Sequence, residues 1–332
     1  MYRFFERIHR YAGHTPAAVR WRFALAAVVL LPVWVPVLLW SLHISRRWRN
    51  LRTVRRFMRR HELAFAEVDP TTLRIEAAAG GISNASMIWR CRTHRGAEVD
   101  YFVKVFLPLG TLWAQVCPWV SPFPRLRPTR RHERAASDVV SRLQLTAHRL
   151  PVPRLVAFDP VDHVAVSERL QGEMVTEVLR RVNQRRFLLA QDRTILAQCG
   201  KGLARMHAAG FAMVDAQPAN CLWVPERGRV HFIDFEYCTR EDLCAWDLAF
   251  FLAFVAAQLS GTVELEARQL ILDGYRSIRR VEPAMVLHRH EELRALLPVF
   301  QAILALRQCT PEELVGVSQA APEERARATT TA

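Results

Sequence analysis

The chain has 332 residues, 51% of them apolar, and a formal net charge of +14. That length accommodates two lobes or domains rather than four, and the apolar share supplies a sizeable core and excludes a chain disordered throughout. Lys104 and Lys201 are the two lysines, so the basic excess is arginine, a balance that a GC-rich genome explains. The charge suits an anionic partner: membrane lipid, nucleic acid or a phosphorylated substrate. Seven cysteines are scattered without a C-x-x-C pair or zinc-spaced histidines, which excludes a zinc module or disulfide scaffold and reads as reduced thiols of a cytosolic domain.

In chain order, residues 1–62 read as a membrane segment. Phe23 to Leu42 is almost wholly apolar, matching the ~20 residues a helix needs to cross a bilayer. Arginines crowd its C-terminal side from Arg46 to Arg60, which the positive-inside rule places in the cytoplasm. Pro32 and Pro36 admit two forms, a kinked crossing helix or a re-entrant hairpin. Leu51, Val54, Phe57 and Met58 recur at helical spacing among the arginines, predicting an amphipathic helix on anionic headgroups.

Residues 63–170 read as a small β-rich lobe. A strand is expected around Leu73-Arg74-Ile75, then the stretch Gly80-Gly81-Ile82-Ser83-Asn84, whose glycines allow the backbone to approach phosphates closely. Met87–Arg92 and Val99–Phe106 alternate as paired strands around Gly96, and the second carries Lys104. The Trp- and Pro-rich stretch from Leu107 to Pro128 reads either as a membrane-interface loop or as a loop packed on its own lobe. An amphipathic helix follows to about Leu145, bearing Glu133 and Asp138, and Val164 to Leu170 reads as the last strand, entering a hinge.

Residues 171–317 read as helical, and residues 318–332, rich in Ala, Glu, Arg and Thr, as disordered. Asp192 to Ala209 has helical periodicity and stops at Gly210. Asp215 and Asn220 then stand in the pattern D-x-x-x-x-N. Two short apolar runs, Cys221–Val224 and Val230–Ile233, flank a Pro/Gly turn as a hairpin whose end delivers Asp234 in Ile-Asp-Phe-Glu. Asp247 opens a further apolar helix. Phosphoryl transfer asks for such a layout: a carboxylate to accept a hydroxyl proton, and a second carboxylate with an amide to hold Mg²⁺ by hard oxygens.

The set Gly-Gly-x-x-Asn, Val-x-Lys, D-x-x-x-x-N and Ile-Asp-Phe-Glu resembles the kinase-like phosphotransferase superfamily, within it the aminoglycoside phosphotransferase and choline kinase branch, with lipopolysaccharide-kinase-like relatives also in view. The resemblance covers about residues 70 to 300. It implies an α+β, protein-kinase-like two-lobe fold, a small antiparallel β lobe on a mainly helical lobe, here with an N-terminal transmembrane or re-entrant helix. ATP and Mg²⁺ are implied as cofactors, with Gly80, Gly81, Ser83, Asn84, Lys104 and the backbone near Glu168 as nucleotide contacts. Glu133, or alternatively Asp138, would orient Lys104. Asp215 would be the catalytic base, Asn220 and Asp234 would hold metal, and Asp247 would brace the catalytic loop. Met213 stands where the family usually has a histidine. The expected function is a membrane-anchored kinase on the cytoplasmic membrane, its catalytic domain facing the cytoplasm, phosphorylating a hydroxyl of a lipid-linked, glycolipid or other small-molecule acceptor such as a lipopolysaccharide core sugar. The alternatives are a nucleotide-binding pseudokinase of a membrane complex and a protein Ser/Thr kinase. No nucleic-acid partner is expected, because aromatic and basic residues do not interleave.

Overall fold

The computed structural model describes residues 36–37, 39–78, 84–108, 111, 130–280, 286 and 293. Most of the apolar run from Phe23, the Gly80–Ser83 stretch, most of Leu107–Pro128 and the chain beyond 293 lie outside the described residues.

Helix α1 (residues 39–48) and helix α2 (Leu51–Arg60) are separated by Asn50, whose extended backbone ends one helix while its Oδ1 accepts from Arg52 N (2.9 Å) to start the next. Five strands follow: β1 (Val68–Ala77), β2 (Asn84–Thr93), β3 (Glu98–Phe106) and, after helix α3 (Arg131–Ala147), β4 (Leu155–Asp159) and β5 (Val164–Glu168). They form one antiparallel sheet in the order β1-β2-β3-β5-β4.

Period-2 alternation sorts β3 onto the sheet's two faces. Tyr101, Val103 and Val105 join Met87, Trp89 and Cys91 of β2 on one face, while Phe106 meets Ala135 and Val139 of α3 on the other. Lys104 shares the parity of Phe106 and so belongs to the α3 face.

The first face is closed by α1 and α2. Ile44, Trp48, Val54, Phe57 and Met58 are buried against it, and Trp48 sits between Phe57 (ring centroids 5.5 Å) and Trp89 (6.3 Å, stacked). This corrects the expectation for the arginine-rich helix. Its Val54–Phe57–Met58 stripe does not lie on headgroups, because the neighbouring sheet removes it from water first. No helix among the described residues is long and apolar enough to cross a membrane.

The second half is helical around a hairpin. Strand β6 (Glu173–Met174) leads into α4 (Val175–Arg185) and α5 (Ala190–Ala208). The hairpin β7 (Cys221–Val224) and β8 (Arg229–Phe232) turns through Pro225–Arg227 and Gly228 at φ 58, and β6 pairs with β7. Helix α6 (Cys244–Gln258), buried along most of its length, and α7 (Thr262–Arg276) complete this part. Gly200 of α5 and Gly274 of α7 let the two helices touch, since a Cβ at either would collide with the other helix's backbone. A five-stranded antiparallel sheet covered by α1 and α2 on one face and α3 on the other, set beside a helical half with its own hairpin, is a mixed α and β architecture compatible with the two-lobe fold expected.

Candidate active site between the sheet and the helical half

Lys104, near the C-terminal end of β3, reaches the residues that follow β8 and is buried. Its Nζ lies 2.6 Å from Asp234 Oδ1, 3.3 Å from Glu236 Oε2 and 3.6 Å from Asp138 Oδ1. Asp138 is fully buried and tied in on both sides, accepting from Phe235 N at 2.9 Å and Arg142 Nη2 at 2.6 Å. Burial by itself would discharge the lysine, yet the three carboxylates outweigh it and hold Lys104 above its ordinary value. Burial likewise opposes the charge on Asp138 and Glu236, but Arg142 with Lys104, and Lys104 with Arg134, draw both carboxyls below the usual range. Asp234 moves the other way: burial and the adjacent Glu236 and Asp138 raise it more than Lys104 offsets.

The second part is the loop after α5. Gly210, at φ 80, ends that helix, and a backbone pair between Ala212 and Thr239 (2.9 Å each way) starts the loop. Val214 then adopts φ 66, a left-handed conformation rare for a β-branched residue. Asp247, in the first turn of α6, holds it there: Oδ2 accepts from Met213 N (2.6 Å) and Oδ1 from Val214 N (2.8 Å), while Trp246 Nε1 donates to Val214 O (2.9 Å). His207 Nε2 meets Asp247 Oδ2 at 3.1 Å, and its Nδ1 meets Tyr275 OH at 2.7 Å. Asp247 thus braces the loop as expected and His207 serves as its support. Met213 is packed into the core of the helical half.

Downstream of this bend, Asp215 is half-buried and accepts from Gln217 Nε2 and, at 3.0 Å, from Asn220 Nδ2, which also donates to Asp215 O at 2.9 Å. Ile233 N donates to Asn220 O (3.0 Å), joining this loop to the residue before Asp234. Asp234 itself is half-buried at φ 68, a turn conformation that Asp tolerates and that carries the chain out of β8.

The expected residues therefore fall into two groups. Lys104, Asp234, Asn84, Asp215 and Asn220 are gathered around the junction of the two halves. Glu133 is not beside the lysine. It sits in the first turn of α3, where its carboxylate accepts from Arg130 N at 3.0 Å and so satisfies the N–H that precedes the helix. Asp138, five residues on and about 140° around the helix, takes the place beside Lys104. At the hinge, Glu168 N donates to Arg154 O (2.9 Å) and Arg169 N to Asp100 O (3.3 Å), so these two N–H groups are engaged in the sheet. Gly80, Gly81 and Ser83 lie outside the described residues.

Two residues given no role from sequence prove central. Glu236 is buried and takes hydrogen bonds from Asn84 Nδ2 (3.0 Å) and Arg134 Nη1 (3.2 Å). Arg134 is fully buried and also donates to Leu107 O at 2.6 Å. The signal for Glu236 was its place two residues after Asp234; Arg134, beside Glu133 among many arginines, had none.

Hard oxygen donors at Asp234 and Asn220 suit Mg²⁺, and an ammonium at Lys104 suits phosphate oxygens. Among the described residues no three of His, Cys, Asp and Glu converge as a metal-ligand set. No family model and no curated protein matches the sequence. A solved structure described as WaaP in complex with acyl carrier protein aligns over 78% of this chain and 96% of that one, at 17% identity and a TM-score of 0.40. Similarity at that level carries no argument beside the contacts at the junction.

Proposed function

We propose that the chain is an ATP- and Mg²⁺-dependent phosphotransferase acting on a hydroxyl of a lipid-linked or glycolipid acceptor, held at the cytoplasmic face of a membrane by its N-terminal segment. The observation that carries the reading is the cluster at the junction: Lys104 on Asp234, with Asp138 behind it and the Asp215–Asn220 loop joined to the same strand end through Ile233. Magnesium-bound ATP would supply an electrophilic phosphorus and neutralise its oxygens. Lys104 would bind phosphate oxygens, with Asp138 keeping it charged and in place. Asp234 and the amide oxygen of Asn220 would be the hard donors for the cation. Asp215, aligned by Gln217 and Asn220, would accept the acceptor's proton.

The acceptor class rests on attachment. Leu39 (62% exposed) and Trp40 (55%) continue the apolar run of residues 23–42 onto the surface of α1. Exposed Arg46, Arg52, Arg56 and Arg59 follow, each contributing on the order of 1 kcal/mol near anionic headgroups. A cleft held at a bilayer favours an acceptor presented there over a freely diffusing one.

The test is transfer of labelled γ-phosphate from ATP into a membrane extract by the purified protein. Wild type is expected to label a lipid-extractable product. Asp234→Ala should lose both the labelling and the Mg²⁺-dependent thermal stabilisation by ATP. Stabilisation unchanged in that variant would remove Asp234 from the metal site, and absence of transfer by wild type would remove the enzyme reading.

A further inference from the structure

We infer that Glu236 is a positioning residue rather than a metal ligand: it locks the start of β2, the lysine of β3 and the helix α3 into one register. The inference rests on the phosphotransferase reading only for its kinetic consequence.

Three donors from three elements converge on a single oxygen, Glu236 Oε2. Asn84 Nδ2 of β2 lies at 3.0 Å, Arg134 Nη1 of α3 at 3.2 Å and Lys104 Nζ of β3 at 3.3 Å. Glu236 is 2% exposed and Arg134 is fully buried, so both charges depend on this contact for the solvation they have lost. An anion enclosed by two cations and an amide is poorly disposed to turn toward a divalent cation. Asp234, two residues earlier, is half-buried and opens to the junction. The two acids of Ile-Asp-Phe-Glu thus divide the work. Asp234 serves the cleft, while Glu236 and Asp138 keep the ammonium of Lys104 fixed when Asp234 is otherwise engaged.

The geometry also links Asn84, which directly follows the Gly80–Ser83 stretch, to Glu236 152 residues later. Arg134 extends the lock to Leu107 O at the end of β3. Removing the negative charge leaves Lys104 and Arg134 facing each other with less compensation, and Asn84 then donates to an uncharged and weaker acceptor. The result is a lobe whose phosphate-contacting groups are no longer held in one register.

The experiment uses the full chain, with Glu236→Gln and Asn84→Ala singly and together. In nucleotide-free protein, hydrogen exchange at the amides of residues 84–87 and 104–107 is expected to quicken in Glu236→Gln. Unchanged exchange there overturns the proposal, and this arm needs no activity. In steady state Glu236→Gln is expected to raise KM for ATP on the order of ten-fold, the scale of one lost charge-assisted hydrogen bond, with a smaller effect on kcat. The Mg²⁺ concentration for half-maximal rate should not move; a comparable rise in it would make Glu236 a metal ligand and overturn the proposal. KM of the double variant should be no higher than that of the worse single variant, whereas multiplication of the two effects would show that Asn84 and Glu236 act separately. If Glu236→Gln does not fold, Asn84→Ala must show the same quickened exchange at 104–107, or the lock is absent. A wild type that neither turns over nor is stabilised by Mg-ATP sinks the phosphotransferase reading alone, since the exchange arm still decides the role of Glu236.

Discussion

Asp215 shows how little of a residue's role lies in its own identity. Its carboxylate is held by Gln217 and Asn220, on a loop bent by Val214 at φ 66, a strain of about 1–3 kcal/mol that neighbouring contacts must hold. In the proposed function this base would act on the acceptor hydroxyl and not on the nucleotide. Asp215→Asn is therefore expected to keep Mg-ATP stabilisation while losing about 10²- to 10⁴-fold in kcat. Equal rates for variant and wild type in the labelled-phosphate assay would remove Asp215 from the chemistry. Lys104→Arg should also fail. A guanidinium is larger than an ammonium, and this site already brings three carboxylates within 3.6 Å of a compact charge. Loss of ATP-dependent stabilisation in a folded Lys104→Arg checks this.

At the scale of elements, α6 decides the shape of the loop. Asp247, fully buried, takes two backbone N–H groups and His207, so Asp247→Ala would strand three buried polar groups. A loss on the order of 3 kcal/mol is expected, read as a melting temperature lower by several degrees, with kcat falling as the loop relaxes. A variant that melts like wild type would show that the bend is held by other means. Strand β8 carries a different liability. His231 is buried, and burial with Arg229 and Arg227 nearby lowers its imidazole to about 4. The unfolded chain takes up its proton near 6.5, so between these values the unfolded state binds more protons and stability falls with falling pH. The neutral form's contribution is complete above 6.5 and is lost on acidification toward 4. In His231→Phe that part of the acid loss should vanish, about 1–2 kcal/mol after allowance for partial solvent screening. Melting curves from pH 7 to pH 4.5 for both proteins test it, and parallel declines would refute it.

For the whole molecule, the N-terminal helices are core and not appendage. Ile44, Trp48, Val54, Phe57 and Met58 cover the sheet, each contributing roughly 1.5–3 kcal/mol by burial, against a total stability of about 5–15 kcal/mol. Removing residues 1–38 is expected to leave a folded protein, whereas removing 1–61 should yield one that aggregates or lacks a cooperative melt. An unaltered melt after the longer truncation would contradict the packing of α1 and α2. The shorter truncation keeps exposed Arg46, Arg52, Arg56 and Arg59 and should still float with anionic vesicles in low salt. High salt should release it, because exposed charges are screened within a Debye length of about 10 Å at 0.1 M. Binding indifferent to salt, or none at all, would dispose of the arginine face as a membrane contact.

The local patterns were legible in the sequence because short-range geometry sets them. Alternation over Met87–Arg92 and Val99–Phe106 predicted β2 and β3, Gly210 marked the end of α5, and the Pro225–Arg229 turn marked the hairpin that delivers Asp234. Leu155–Asp159 was not expected as a strand, since its pairing with β5 supplies what its short pattern does not announce. Choice of partner was decided by tertiary structure alone. Glu133 and Asp138 share one amphipathic helix and the sequence favoured Glu133 as the partner of Lys104, but packing turns Asp138 toward the lysine and leaves Glu133 to cap the helix. The apolar stripe of α2 suits a bilayer or a sheet equally, and only the neighbouring sheet decided between them. Lys104 meets an acid 130 residues away and Asn84 one 152 away. Composition and spacing constrain neighbours along the chain, whereas contacts across such separations exist only once the core has closed.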